Sequence, residues 1–372
     1  MKLIFVDTYY NGFLNDFRKR NPDLITKSYQ QQRQYLLDAC FGTSYYYSYN
    51  LKKIGHQAQD LIINDEILQR QWAKENNFKV GWSSLWVRLQ TLPYVHRIIG
   101  RPEWMQKIAL AQIIQYKPDI VYVQDLSALN PDTLREVKKH CKLLVGQIAC
   151  SLPAVENLKE FQLILTSFPH YVNRFRSIGI KSEYFKIAFE PKILNKIGKQ
   201  KKKYGVVFIG SFTYYHKEGT KLFEQVASKV PIDFWGYGAE GLRDSSIIKQ
   251  RFHGSAWGIE MYRILAQSKI VINRHISAAE DNANNMRLYE STGMGAMLIT
   301  DEKKNISTLF KPGKEIVTYK DESDLIKKIK FYTAHHAARE KIARAGQRRT
   351  LTEHNYHNRM RELASIINKY LS

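Results

Sequence analysis

The sequence predicts an α/β protein built as two doubly wound units in tandem. Short apolar runs alternate with helical patterns along the whole chain, which means parallel strands joined by crossover helices. A length of 372 residues suits two ordinary domains better than one. The alternation breaks once, near residue 190, where FEPKILNKIGKQKKKYG combines a proline, two glycines and a lysine run. The expected division is a first domain over 1–190, a linker over 191–204 with solvated lysines, a second domain over 205–355 and a final helix over 356–372.

KLIFVD (2–7) opens the first unit as a parallel strand, placed at the sheet edge, and Asp7 closes it. The polar stretch Tyr9, Tyr10, Asn11, Gly12 follows as a loop at the strand's carboxyl end, where α/β sheets bind ligands. Residues 24–40 carry mixed helical patterning. The segment from Phe41 reads as loop, helix, then a strand at 61–63. Residues 66–99 are largely helical, anchored by Trp72, Trp82 and Trp86. A helix from Glu103 to Tyr116 is stopped by Lys117–Pro118, and DIVYVQ then forms a buried strand. LREVKKH is a helix, KLLVGQI and FQLILTS are strands, and HYVNRFRSIGI is a helix closing at Gly179.

The second unit repeats the scheme. YGVVFIGSF is a strand leading into Gly210–Ser211–Phe212, TKLFEQVASKV a helix, and IDFWGYG a strand ending in a turn bracketed by Gly236 and Gly238. GIEMYRILAQSK is an amphipathic helix, KIVINRH a strand, MRLYESTG a helix, and AMLITD and EIVTYKD strands. ESDLIKKIKFYTA, a basic helix from Arg339 and the amphipathic HNRMRELASIINKYL complete the chain.

Lys and Arg number 57 against 35 Asp and Glu, a formal net charge of +22, and such a field attracts nucleic acid, anionic membrane or phosphorylated ligands. No zinc finger, RNP or helix-turn-helix pattern accompanies it, so nucleic-acid binding rests on charge alone. Cys40, Cys141 and Cys150 are scattered, which argues for a reducing compartment and against structural zinc. MKLIFVDTYYNGF turns polar too soon for a signal peptide, and no apolar run reaches the roughly 18–20 residues of a membrane span. A cytoplasmic protein is expected, with peripheral contact at the anionic inner membrane face through its positive charge.

The stretch NRHISAAEDNANNMRLYESTGMGAMLITD (273–301) holds the most chemistry. It runs from a strand end through a polar loop to a helix starting at Asn284–Asn285, and a helix N-terminus facing a loop favours anions. Arg287 and Glu290 share a face of that helix. A guanidinium takes phosphate by two parallel bonds, and a carboxylate accepts from paired hydroxyls, so the pair outlines a nucleotide with its ribose. The competing reading is a solvated surface ion pair, which such spacing commonly produces.

Two tandem doubly wound domains with a nucleotide site in the second are the outline of GT-B glycosyltransferases, facing across a cleft. The phrases FGTSYYYSYNLKKIGH, KPDIVYVQDLS, VVFIGSF with HKE, WGYG, WGIEMYRILAQSKIVINRH and NNMRLYESTGMGAMLITD resemble the spore-maturation CgeB-like glycosyltransferases across nearly the whole chain. The resemblance implies transfer of a sugar from a UDP-, GDP- or dTDP-sugar to a glycan, lipid-linked or protein acceptor, in surface polysaccharide or glycoconjugate synthesis. It implies no cofactor and a final helix that crosses back to the first domain, and the chain has no Asp-x-Asp motif in a loop, so no metal is expected. It places Gly210 and Ser211 near the donor diphosphate, His216 in the HKE phrase that faces the cleft, Asn285 and Arg287 by the phosphates and Glu290 by the ribose. Gly236 and Gly238 lie near the base, and Asn273 and His275 end a strand that points at the site.

Two departures stand out. GT-B enzymes commonly carry two glutamates around this helix; Glu290 takes the second place, but Asn282 stands in the first. Relatives often place Arg after HKE, where this chain has Gly219, so the diphosphate's positive charge is expected from Lys217, Lys221 or Arg287. An inverting transfer also needs a base from the first domain. Asp125, just past DIVYVQ, is the first candidate, with a helix cap or turn as its alternative role, and His170 is the second. Asp7 reads as support for the Tyr9–Gly12 loop. Trp257 and Tyr262 are candidates to flank the base, although aromatics at helical spacing usually belong to the core. The rival functions are a basic nucleic-acid-binding protein and a non-catalytic sugar-nucleotide-binding scaffold.

Overall fold

The computed structural model describes residues 1–82, 101–213 and 216–371. Trp86 and the helical reading of 83–99 lie outside the described residues. The chain forms two compact units: Met1–Phe185 with Met360–Ser372, and Lys186–Arg359.

In the first unit, β1 (Lys2–Asp7), β2 (Gln57–Ile62), β3 (Ile120–Val123), β4 (Leu143–Ile148), β5 (Leu163–Thr166) and β6 (Ser182–Tyr184) form a parallel sheet in the order β2-β1-β3-β4-β5-β6. In the second, β7 (Tyr204–Ser211), β8 (Asp233–Tyr237), β9 (Ser268–Asn273), β10 (Met297–Asp301) and β11 (Val317–Tyr319) form another parallel sheet in the order β11-β10-β9-β7-β8. Counted within each unit, both sheets place the second strand outside the first and continue with the third on the other side. The winding therefore reverses between β1 and β3, and between β7 and β9. In open α/β sheets that reversal opens a crevice at the strands' carboxyl ends.

The strands are apolar because helices cover both faces of a parallel sheet. Leu3, Ile4, Phe5 and Val6 of β1 are all buried, as are Ile270, Val271 and Ile272 of β9. Each such side chain contributes about 1.5–3 kcal/mol on leaving water. Local signals set the helix ends. Ser28 and Gln31 form a reciprocal capping box for Tyr29–Asp38, and Asp321 caps Glu322–Ala334 by accepting from Asp324 N. Helix Glu103–Tyr116 stops at Lys117, held left-handed at φ 50°, because the following proline disfavours helical backbone there.

Several expectations are corrected. β1 is not an edge strand, since β2 pairs outside it from Lys2↔Gln57 to Asp7↔Ile62. Its unbroken apolar run is the mark of an interior strand. β2 starts at Gln57 rather than 61; Gln57, Gln59 and Asp60 conceal it in sequence, and Asp60 is buried by a hydrogen bond from Ser48 Oγ. The helix from Glu66 ends at Glu75. Asn11 and Gly12 are not loop residues but the first turn of helix Asn11–Arg20, drawn in by the burial of Phe13, Leu14 and Phe17. The 191–204 segment is not wholly a solvated linker. It contains helix Lys192–Ile197 with Ile193 fully buried, and Lys202 Nζ donates to the carbonyls of Ser268 (2.8 Å) and Gly295 (3.0 Å).

Candidate functional site

The site is built where the second sheet reverses its winding, at the carboxyl ends of β7 and β9. Gly210 and Gly236 are paired in register. Gly236 has φ 135°, and a Cβ there would stand 1.7 Å from Gly210 O, so only glycine lets the two backbones meet. Gly238 is left-handed as well, at φ 87°, and approaches Thr213 N. Beyond β7 a chain of polar side chains leads into the next helix. Ser211 Oγ lies 3.0 Å from Thr213 Oγ1, which lies 3.2 Å from His216 Nδ1. His216 is the cap residue of helix Lys217–Ala227 without a capping side-chain bond. Burial lowers the His216 pKa, which favours a neutral ring.

Ser211, the helix start from His216 to Thr220, and the segment from Arg274 to Ser277 line a cavity of about 300 Å³. The first backbone N–H groups of a helix have no partner within it, and the helix dipole adds positive potential. The cavity is thus suited to an anion.

The β9 side of the cavity escapes a reading by sequence spacing. Arg274 Nη2 pairs with Glu218 Oε2 at 2.9 Å, and the arginine stem lies over the helix start beside Gly219, with Arg274 Cδ 3.6 Å from where a Cβ would be. The His275 side chain is fully buried, with Nδ1 2.7 Å from Asp301 Oδ1, and its backbone N–H donates to the same carboxylate. Its Nε2 has no hydrogen-bond partner among the described residues. Burial alone would raise the Asp301 pKa, but the His275 hydrogen bond and the Lys303 charge hold it below the usual carboxylate value.

Helix Met286–Gly293 starts where Asn285 accepts from Leu288 N. Asn285 Nδ2 also donates to Asn273 Oδ1 (2.9 Å), and Asn273 donates to Thr300 Oγ1 (3.0 Å), so these two asparagines tie the helix start to β9 and β10. Arg287 Nη1 donates to Glu290 Oε2 at 2.8 Å, with the side chains only 15% and 6% exposed. The pair is therefore no solvated surface bridge. Tyr262 donates to Glu290 Oε1 (3.3 Å), while Arg287 Nε is buried without a partner among the described residues. Burial raises the Glu290 pKa against the opposing pull of Arg287 and Tyr262. Neither Arg287 nor Glu290 lines the cavity that holds Ser211, His216 and Lys217. Trp257 is half-buried and stacks on Tyr237 with ring centres 5.4 Å apart.

In the first unit, the Asp125 carboxylate accepts from Thr8 Oγ1 (2.6 Å), Arg101 Nη2 (3.0 Å) and Ser127 N (2.9 Å), the pattern of a turn residue. Asp7 lies across the same reversal point, at the end of β1. Burial pushes its carboxyl up to about 7, with Asp125 and Asp60 adding to the rise against a bond from Thr8 N. His170 sits in the first turn of helix Pro169–Ser177, stacked on Phe168 and against Tyr171. Tyr9 is buried, and Tyr10 is 57% exposed. Among the described residues no three His, Cys, Asp or Glu are placed together to hold a metal ion, and no helix is long and apolar enough to cross a membrane.

A glycosyl transferase-like family matches residues 216–365. No curated protein matches the chain. Solved structures do. Sucrose-phosphate synthase from Thermosynechococcus elongatus is 9% identical, with a TM-score of 0.61 over 100% of this chain and 99% of that one. HepE from Anabaena, in complex with UDP and glucose, is 12% identical, with a TM-score of 0.60 over 99% and 100%. A glycosyltransferase from Rickettsia africae is 11% identical, with a TM-score of 0.57 over 100% and 99%. At such identities the likeness carries the fold, and the fold is GT-B.

Proposed function

We propose that the protein is a glycosyltransferase that binds a nucleotide-sugar in its second unit and moves the sugar to a glycan, lipid-linked or protein acceptor. One observation carries the reading. At the β7/β9 reversal the open start of helix Lys217–Ala227, framed by Ser211 and His216, faces a cavity of about 300 Å³. HepE, of the same fold, is described in complex with UDP and with UDP-glucose, which makes a uridine nucleotide the first donor to try. The motif likeness adds the CgeB-like branch, and the net charge of +22 suits an enzyme that works at an anionic membrane face.

The chemistry follows from charge. Cleaving the sugar–phosphate bond leaves negative charge on the diphosphate, and preorganised N–H donors with cationic side chains stabilise that leaving group as it forms. The donor site we assign comprises Gly210, Ser211, His216 and Lys217 at the phosphates, with Asn273, Asn285, Arg287 and Glu290 organising the floor behind them. Gly236, Gly238 and Trp257 lie toward the base. If the transfer inverts configuration, the acceptor proton needs a base whose pKa lies near the working pH. Asp7 meets that condition, whereas Asp125 is already engaged by Thr8, Arg101 and Ser127. Thermal unfolding with UDP-, GDP- and dTDP-sugars tests the assignment. One of them should raise Tm saturably and release its nucleoside diphosphate with acceptor present; a flat response to all three refutes it.

A further inference from the structure

We propose that Arg274 grips the diphosphate in the β7/β9 cavity, and that Glu218 holds its guanidinium until the anion displaces it. The inference rests on the nucleotide-sugar reading and names the group that recognises that ligand's charge.

Three features place the cation. The stem of Arg274 crosses the helix start beside Gly219, with 3.6 Å, ordinary packing contact, between Arg274 Cδ and the position a Cβ would take. That path carries the guanidinium from the end of β9 to the first turn of helix Lys217–Ala227, where it meets Glu218 at 2.9 Å. Its side chain is 27% exposed, whereas Lys217 and Lys221 on that helix are exposed, so of the two Lys and Arg residues in the described lining, Arg274 and Lys217, Arg274 is the less exposed. The partner carboxylate is 80% exposed, and an ion pair of that exposure is weak and exchangeable. A diphosphate offers the same guanidinium two parallel bonds and more charge.

An independent observation also points to a ligand here. His275, the next residue along the chain, lines the same cavity, is held through Nδ1 by Asp301, and has a buried Nε2 without a partner among the described residues. A buried polar atom left unpaired is uncommon enough to require an explanation; a ligand hydroxyl donating to Nε2 supplies one, as does a phosphate oxygen accepting from it when the ring carries both protons.

Calorimetric titration of the full chain with UDP-glucose and with inorganic pyrophosphate tests the exchange. Arg274→Gln should weaken both by about tenfold or more, as loss of a bidentate cation does. Glu218→Gln should tighten both by about threefold, the scale of releasing an exposed pair. Removing a negative charge near any anion site could also tighten binding, so the decisive arm is the double variant. If Glu218 acts by holding Arg274, Glu218→Gln has no effect in the Arg274→Gln background. Equal tightening in both backgrounds, or unchanged affinity in Arg274→Gln, overturns the proposal. Pyrophosphate binding with this pattern but no binding of UDP-, GDP- or dTDP-glucose upholds Arg274 and removes the nucleotide-sugar reading. Binding of neither pyrophosphate nor any of the three donors removes both.

Discussion

Replacing Arg287 by Met isolates what the buried ion pair of the second unit contributes. Glu290 is 6% exposed, and its partners are Arg287 Nη1 at 2.8 Å and Tyr262 OH at 3.3 Å. Without the guanidinium, the carboxylate keeps only the longer, neutral bond. Breaking a buried pair from one side costs about 3–5 kcal/mol, and the 15% exposure of Arg287 points to the lower end, about 3 kcal/mol. The loss should depend on pH. The Glu290 pKa is already raised by burial, and removing the opposing Arg287 charge raises it further. A carboxyl with a raised folded pKa holds its proton in the folded state after the unfolded chain has released its own. Stability therefore falls as pH rises from the unfolded value, about 4.3, through the folded one. Urea unfolding at pH 7.5 should show the full deficit, and at pH 5.0 a smaller one. Arg287→Met with Glu290→Gln should regain most of the stability, because no buried charge is left alone, yet not donor affinity. A single variant within about 1 kcal/mol of wild type, or a deficit equal at both pH values, would refute the account.

Gly236→Ala should destabilise the second unit by more than about 3 kcal/mol, since its methyl would stand 1.7 Å from Gly210 O at a φ of 135°; unfolding like wild type would mean the strand ends can separate freely. Asp7→Asn should remove a pH-dependent loss of stability. With its pKa raised to about 7, Asp7 favours the folded state most below pH 4 and loses that contribution by pH 7, so the variant should gain up to about 4 kcal/mol over wild type at pH 8 relative to pH 4. If Asp7 is the base of an inverting reaction, the variant also loses turnover while keeping donor affinity, and Asp125→Asn keeps both; steady-state kinetics with calorimetry decides between them. Asp301 has a lowered pKa, so its stabilisation is present near pH 7 and lost as pH falls through the folded value. Asp301→Asn should accordingly be less stable than wild type at pH 7 and equal to it in strong acid, which thermal melts across that range would show.

The order of elements was legible in the sequence because parallel strands are buried on both faces and must be apolar throughout. KLIFVD and KIVINRH could be little else, and the winding rules for crossover units follow from the same alternation. Asn285 as a helix start was also legible, since capping is a matter of neighbours in sequence. β2 was partly hidden because the burial of Asp60 depends on Ser48 and its surroundings rather than on its own polarity. The pairing of Arg287 with Glu290 follows from helical spacing, but its burial does not, because that depends on Tyr262 and the packing around it.

Tertiary structure alone decided the cavity. Glu218 and Arg274 lie 56 residues apart, and His275 and Asp301 lie 26 apart. Each pair meets because β9 lies between β7 and β10 in the second sheet. Local propensity and periodicity act over a turn or a strand, and a contact between residues this far apart is set by strand order and register. The residues that could hold charge were visible in the chain, whereas their convergence on one helix start belongs to the folded sheet.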